Sequence, residues 1–275
     1  MQGKTVVITG ATGGIGKVTA QTLSQMGAKV LLLARDAARG KETLKTLSRD
    51  CELYIGDLAS QDDLHRMAQE IKSKHSTIDV LVNNAGAIFG ERLESPDGIE
   101  MTIALNHLSY FVLSNLLLDP LLNAPQGRIV NVSSAAHQMG YIDFTDFQYR
   151  ERRYNGGRAY NDSKLMNVLF TYELARRLKG TPVTVNCLHP GVVKTSFGKE
   201  AGGWISKMFK LFRPIMITPE QGAKTSIHLA TSPELSEVTG KYFTNCAATK
   251  SSVRSYDEGL AARLWYTSKE LTGLD

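Results

Sequence analysis

KTVVITGATGGIG, residues 4–16, runs from a β-branched apolar stretch into a glycine-rich turn. It continues directly into KVTAQTLSQMG, whose apolar positions recur with helical spacing. A short apolar run closed by glycine reads as a buried strand, and the segment after it as an amphipathic helix. Gly10, Gly14 and Gly16 are spaced Gly-x-x-x-Gly-x-Gly across the junction. Glycines let a backbone turn sharply and approach a phosphate closely, and a helix N-terminus offers free N–H groups and partial positive charge. Taken alone, the turn is equally an ordinary glycine-rich connection. Its position after the first strand and before a helix favours an anion cradle, with Gly10, Thr12, Gly14, Ile15 and Gly16 as its candidate residues.

Outward from this unit the same alternation repeats. Strand-like runs occur at 28–35, 51–57, 77–86, 127–134, 182–191 and 241–245, and helical runs lie between them at 37–49, 60–74, 97–122 and from about Tyr160 onward. Fully apolar strands alternating with helices argue for a parallel sheet covered on both faces. Right-handed crossovers make it doubly wound. The expected fold is therefore α/β: one Rossmann-type, mostly parallel sheet of about seven strands with helices on both faces, spanning 1–275 as a single domain. In such sheets ligands bind at the carboxyl ends of the strands.

The chain has 275 residues, 42% hydrophobic and 21% charged, with a formal net charge of +5. This suits a globular protein with a sizeable core. The basic residues are scattered, so no nucleic-acid partner is expected; a mildly basic surface suits an anionic cofactor or anionic lipid. Cys51, Cys187 and Cys246 stand far apart, with no Cys-x-x-Cys or Cys/His cluster, so neither a metal site nor a disulfide framework is expected. A strand-like run begins almost at Met1 and leaves no room for a signal peptide before it. No apolar run reaches membrane-spanning length. The expected location is cytoplasmic, with peripheral membrane association as the alternative.

The second strand ends LLLARD, and Arg35 stands where a dinucleotide fold that uses NAD carries an acidic residue for the ribose. An arginine there suits a 2′-phosphate, and Lys17 adds a second positive charge. NADP(H) is the expected cofactor; the alternative leaves Arg35 on the surface and gives the ribose to Asp36. Farther along, Tyr160 and Lys164 are four positions apart on a helix and share a face. That spacing alone is compatible with a solvated helix face.

The segments TGATGGIG (9–16), GDL (56–58), NNAG (83–86), LNHLSYF around Asn106, NVSS (131–134), YNDSK (160–164) and HPG (189–191) jointly resemble the short-chain dehydrogenase/reductase family, in that family's order and over most of the chain. YNDSKLMNVLFTYELARRLKG, VTVNCLHPGVVKT, TPEQGAKTSIHLA and ARLWYTSKELTGL resemble its retinol dehydrogenase-like branch. The resemblance implies a catalytic tetrad of Asn106, Ser134, Tyr160 and Lys164, with Ser134 preferred to Ser133, and with Asn106 holding a water or backbone group that links Lys164 to solvent. It implies Asp57 and Leu58 at the adenine, and Asn83, Ala85 and Gly86 around the cofactor cleft, Asn83 alternatively bracing the turn. Tyr160 and Lys164 also touch the cofactor in this scheme. Pro190, Gly191 and Val193 lie near the nicotinamide, and Thr195 holds its carboxamide. Family members commonly form a homodimer or homotetramer through helices around 97–118 and 160–178. The material between Ser134 and Tyr160 is longer than in the shortest members and is either a surface hairpin or a substrate wall.

The implied reaction is NADP(H)-dependent interconversion of a carbonyl and an alcohol. A lysine cation at about 4 Å interacts with a tyrosinate by about 4 kcal/mol at an effective dielectric of about 20, up to about three pKa units downward for Tyr160. Ser134 would stabilise the growing oxyanion. His107, His137 and His189 show no orienting partner in the sequence and are discounted as bases. Asp162 is expected to face away from Tyr160 and serve the helix start, and Cys187 to be a buried strand residue. The apolar segment WISKMFKLFRPIMI, 204–217, reads as part of a substrate lid at about 195–217; an interfacial membrane helix and ordinary core are the alternatives. The lid reading favours a lipophilic aldehyde or alcohol such as retinal or retinol. The rival substrates are steroids, quinones or xenobiotic carbonyls. A non-catalytic NADP-sensing interaction protein is the rival of another class.

Overall fold

The computed structural model describes residues 1–48, 50–194 and 216–274. The expected lid and Thr195 therefore lie outside the described residues, except for Met216 and Ile217 at the lid's end. The strands are β1 (Thr5–Thr9), β2 (Lys29–Ala34), β3 (Glu52–Ile55), β4 (Val80–Asn83), β5 (Arg128–Val132), β6 (Thr184–His189), β7 (Tyr242–Thr244) and β8 (Ala247–Thr249). They form one sheet in the order β3-β2-β1-β4-β5-β6-β7-β8, parallel throughout except for the β7–β8 pair. The sheet thus has eight strands where the sequence suggested about seven. All three residues of β8 are exposed, so no burial pattern marked it.

Successive strand residues face opposite ways, and two cores follow from that. Val7, Leu31, Leu33, Leu81, Ile129 and Val185 pack on one face. Val6, Ile8, Val30, Leu32, Val80, Val82 and Val130 pack on the other. The first core is closed by α3 (Gln61–Lys74), α5 (Ser109–Leu116) and α7 (Gly156–Arg177), and the second by α1 (Gly14–Gln25) and α8 (Pro219–Thr231). Between β2 and β3 runs α2 (Ala37–Leu44). α8 begins with a capping box, Thr218 and Gln221 each accepting from the other's backbone N–H.

The long helix expected over 97–122 is broken. Glu100 caps α4 (Met101–Ile103), a π-turn follows over Ala104–Leu108, and α5 stops at Leu117 before α6 (Leu118–Leu122). Pro120 sits in the first turn of α6, where its missing N–H has no intrahelical acceptor to lose. The π-turn holds Asn106.

Every residue of α7 from Asp162 to Ala175 is buried. Much of that cover comes from α9 (Glu258–Thr272). Trp265 stacks on Phe170 at 6.0 Å and meets Phe111 edge-on at 4.9 Å. The two helices named for a homodimer are thus packed against the chain's own C-terminal helix. No helix among the described residues is long and apolar enough to cross a membrane.

Candidate active site

At the carboxyl end of β1, Gly10 has φ +65°, and a Cβ there would lie 2.8 Å from the Ala85 Cα. Gly14, at φ +52°, opens α1. The cap residue Gly13 is extended and provides no side-chain acceptor, so no cap side chain takes up the first amides of α1. That is the donor set of an anion site. The turn is held from β4 by Asn84, whose Nδ2 donates to Thr9 O at 2.9 Å and Gly10 O at 3.2 Å. Thr9 Oγ1 accepts in return from the Asn84 and Ala85 amides.

Asn83 is fully buried and donates to Asn131 Oδ1 at 2.9 Å and to Ser114 Oγ at 3.1 Å. It braces β4 against β5 and α5 and presents nothing to the cleft, while its neighbour Asn84 reaches the turn. The order of two identical residues in NNAG could not separate these roles. Leu58 packs into the core, and Asp57 Oδ1 accepts from the Ala59 amide at 3.0 Å. Ile15 and Val193 meet at Gly222 of α8, where a Cβ would fall 3.2 Å from Ile15 Cγ1 and 3.3 Å from Val193 Cγ1. Past Pro190, Gly191 turns with φ +90°, and Val193 bridges to Ile217.

Arg35 is exposed at the end of β2. Asp36 Oδ1 accepts from the Ala38 and Arg39 amides, so this carboxylate caps α2. Arg39, which the sequence pattern did not single out, reaches back to Thr12 O at 3.3 Å and lies 3.1 Å from a Cβ placed on Gly13. Only the neighbouring of β1 and β2 in the sheet brings it there. The glycine turn, the uncapped helix start and the cations Lys17, Arg35 and Arg39 suit the phosphates of a dinucleotide.

The four tetrad candidates converge beside this turn. Ser134 and Tyr160 are partly open, Lys164 is 3% exposed, and Asn106 is fully buried. The Ser134 hydroxyl acts on the Tyr160 phenol and favours its ionised form. Ser133, by contrast, is buried and donates to Lys164 O at 2.8 Å. Lys164 Nζ donates to Val132 O at 3.0 Å and stands 5.5 Å from the Tyr160 ring centre. Asn106 accepts from the Ala87 amide and donates to Ala87 O, both at 2.9 Å, and donates to Ser163 Oγ at 3.1 Å. A Cβ on Gly86 would come 3.2 Å from Asn106 Oδ1 and 3.5 Å from Lys164 Nζ.

Electrostatics differ from the sequence expectation. Burial pushes the Tyr160 phenol up to about 12, with the Ser134 hydroxyl pulling the other way. Burial also lowers the Lys164 ammonium to about 7. The expected downward pull of lysine on tyrosine does not prevail, because desolvation disfavours the charged form of both groups.

Asp162 faces away from Tyr160 but does not start the helix; Asn155 caps α7 by accepting from Arg158 N. Asp162 accepts instead from Tyr141 N at 2.7 Å and Tyr149 Oη at 2.6 Å, fastening the long segment after Ser134 to α7. His107 is buried and its Nε2 lies 2.8 Å from Ser268 Oγ; burial lowers its pKa to about 3. Cys187 is buried in β6. Among the described residues no group of His, Cys, Asp and Glu could hold a metal ion.

A model of the family described as short chain dehydrogenase matches residues 4–206. Human retinol dehydrogenase 13 is 41% identical over 99% of this chain and 86% of its own length. Human retinol dehydrogenase 14 is 41% identical over 100% of this chain and 88% of its own. Among solved structures, an uncharacterized protein from Mycobacterium Paratuberculosis is similar with a TM-score of 0.82 at 34% identity, covering 99% of this chain and 94% of that one. The Pseudomonas aeruginosa RhlG/NADP active-site complex is similar with a TM-score of 0.71 at 29% identity, covering 88% and 94%. The chain belongs to the short-chain dehydrogenase family, in its retinol dehydrogenase-like branch.

Proposed function

We propose that the protein is an NADP(H)-dependent oxidoreductase that interconverts a carbonyl and an alcohol on a lipophilic substrate of the retinal/retinol kind. The observation that carries this is the pair of partly exposed residues Ser134 and Tyr160, whose hydroxyls act on one another, with the buried Lys164 Nζ 5.5 Å from the Tyr160 ring centre. When bound, the reduced nicotinamide supplies the hydride. In the reducing direction Tyr160 delivers its phenolic proton to the carbonyl oxygen, and its high pKa keeps that proton in place at neutral pH. Ser134 donates to the same oxygen as charge grows on it. Asn106 and Lys164 are too buried to meet the substrate and act through the groups they hold. Asn106 fixes the Ala87 backbone, and Lys164 supplies positive charge beneath the Tyr160 ring when protonated.

NADP rather than NAD is supported by Arg35 and Arg39 near the ribose end of the turn and by the use of Asp36 as a helix cap. The similar RhlG structure is an NADP complex. Arg35→Ala and Arg39→Ala should each weaken NADPH binding about tenfold or more and leave NADH binding nearly unchanged, since a charge-assisted bond to a phosphate contributes about 1.5–3 kcal/mol. Titration with both dinucleotides checks this, and equal losses for both would remove the 2′-phosphate role.

A lipophilic substrate is supported by the names of the relatives and by exposed Met139, Tyr141 and Val192, all near Ser134 or Gly191 in the chain. The deciding assay is NADPH oxidation against retinal, medium-chain aldehydes, steroids and quinones, with NADH in parallel. Turnover should be highest with retinal or the aldehydes. A preference for steroids or quinones would reassign the substrate class, and cofactor binding without turnover on any carbonyl would favour a sensing protein.

A further inference from the structure

We propose that His137 and His189 are positioning residues. Their imidazoles clamp the two polar ends of one peptide group, Ser134–Ala135, and so fix where the Ser134 hydroxyl stands. The proposal rests on the reading of Ser134 as the hydroxyl that meets the substrate oxygen.

His137 Nδ1 lies 2.7 Å from Ser134 O. A carbonyl oxygen only accepts, so Nδ1 carries the hydrogen. On the far side of the same ring, the Ser252 backbone N–H donates to Nε2 at 3.0 Å. A backbone N–H only donates, so Nε2 is bare. The two partners together select the neutral Nδ1–H tautomer. The ring is fully buried and sits 4.7 Å from the Tyr242 ring of β7. His189, at the end of β6, takes the other end of the peptide group: its Nδ1 accepts from the Ala135 N–H at 3.1 Å. Burial lowers the pKa of both imidazoles, which suits two neutral rings.

This peptide group follows the Ser134 Cα directly, so turning it turns Ser134. The Ser134 backbone is extended, and its Oγ accepts from the Ala136 N–H at 3.2 Å. The hydroxyl is thus oriented by its own turn while that turn is held from three other places: β6 through His189, the segment at Ser252 through His137, and β7 against the His137 ring. Both ring nitrogens of His137 are engaged, and the Nδ1 lone pair of His189 is taken by the Ala135 N–H, so neither ring offers a bare nitrogen to a substrate.

Nitrogen-15 long-range spectra of the full chain at neutral pH should show His137 protonated at Nδ1 and bare at Nε2, and His189 bare at Nδ1. His137 protonated at Nε2, or charged, would overturn the clamp. With substrate, His137→Phe should lower kcat about tenfold or more, because small misplacements of reacting groups are costly, with dinucleotide Kd within about twofold of the parent chain. His137→Asn, whose amide can still donate to Ser134 O, should recover most of that loss. Parental kcat in His137→Phe, or equal losses for Asn and Phe, would sink the proposal. If the Phe variant does not fold, the parent spectrum and the Asn variant still decide. Ser134→Ala keeps the two failures apart: full turnover in that variant would remove the role of Ser134, whatever the histidine spectra show.

Discussion

Tyr160→Phe should lower turnover by roughly 10²–10⁴-fold, the usual contribution of a positioned proton donor, while dinucleotide affinity changes little. The phenol belongs to a partly exposed residue and stands next to a second hydroxyl, that of Ser134. Phenylalanine keeps the ring and its packing over Lys164 and removes only the hydroxyl. Steady-state kinetics with a responsive aldehyde, together with NADPH titration by fluorescence, separate the two effects. Turnover within tenfold of the parent chain would mean that the proton comes from elsewhere.

Lys164→Met should abolish most turnover and also make the chain more stable at pH 7. In the folded chain the ammonium is lowered from its ordinary 10.5 to about 7 by burial. Between those values the unfolded chain holds a proton that the folded chain lacks, so this site's contribution to stability rises with pH across that window. At and below pH 7 the destabilisation is nearly complete. Replacing the lysine relieves it, and buried charged groups exchanged for apolar ones of similar volume give gains of about 1–4 kcal/mol. The lost bond to Val132 O offsets part of the gain. Urea unfolding at pH 7 and pH 10 reads the difference. The variant should be the more stable at pH 7, with the gap narrowing toward pH 10. A variant less stable at pH 7, or a gap independent of pH, would show that Lys164 is not desolvated as described.

The parallel sheet and the glycine turn could be read in advance because their determinants are local: apolar runs, glycine spacing, a helix directly behind. Ser134, Tyr160 and Lys164 likewise lie in short contiguous motifs. What escaped depended on contacts between distant segments. Arg39 is one surface arginine among many until β2 is laid beside β1. The π-turn at Asn106 occupies an apolar stretch that reads as uninterrupted helix. His137 and His189 looked isolated because their partners are backbone groups, which leave no mark in a sequence. The Tyr160–Lys164 electrostatics were misjudged for a related reason. Coulomb's law needs only a separation, but desolvation needs the whole surrounding shell, and here the shell prevails.

The cover that α9 places on α7 also bears on how the chain matures. Ribosomes deliver Gly156–Arg177 well before Glu258–Thr272. Until the later segment emerges, Phe111 and Phe170 lack the indole that closes over them. A nascent chain already long enough to form β1–β6 therefore still shows an aromatic face, the kind of surface that chaperones hold and that drives misassembly. Cover for the helix that carries Tyr160 and Lys164 consequently arrives late, after most of the sheet beneath it has been made.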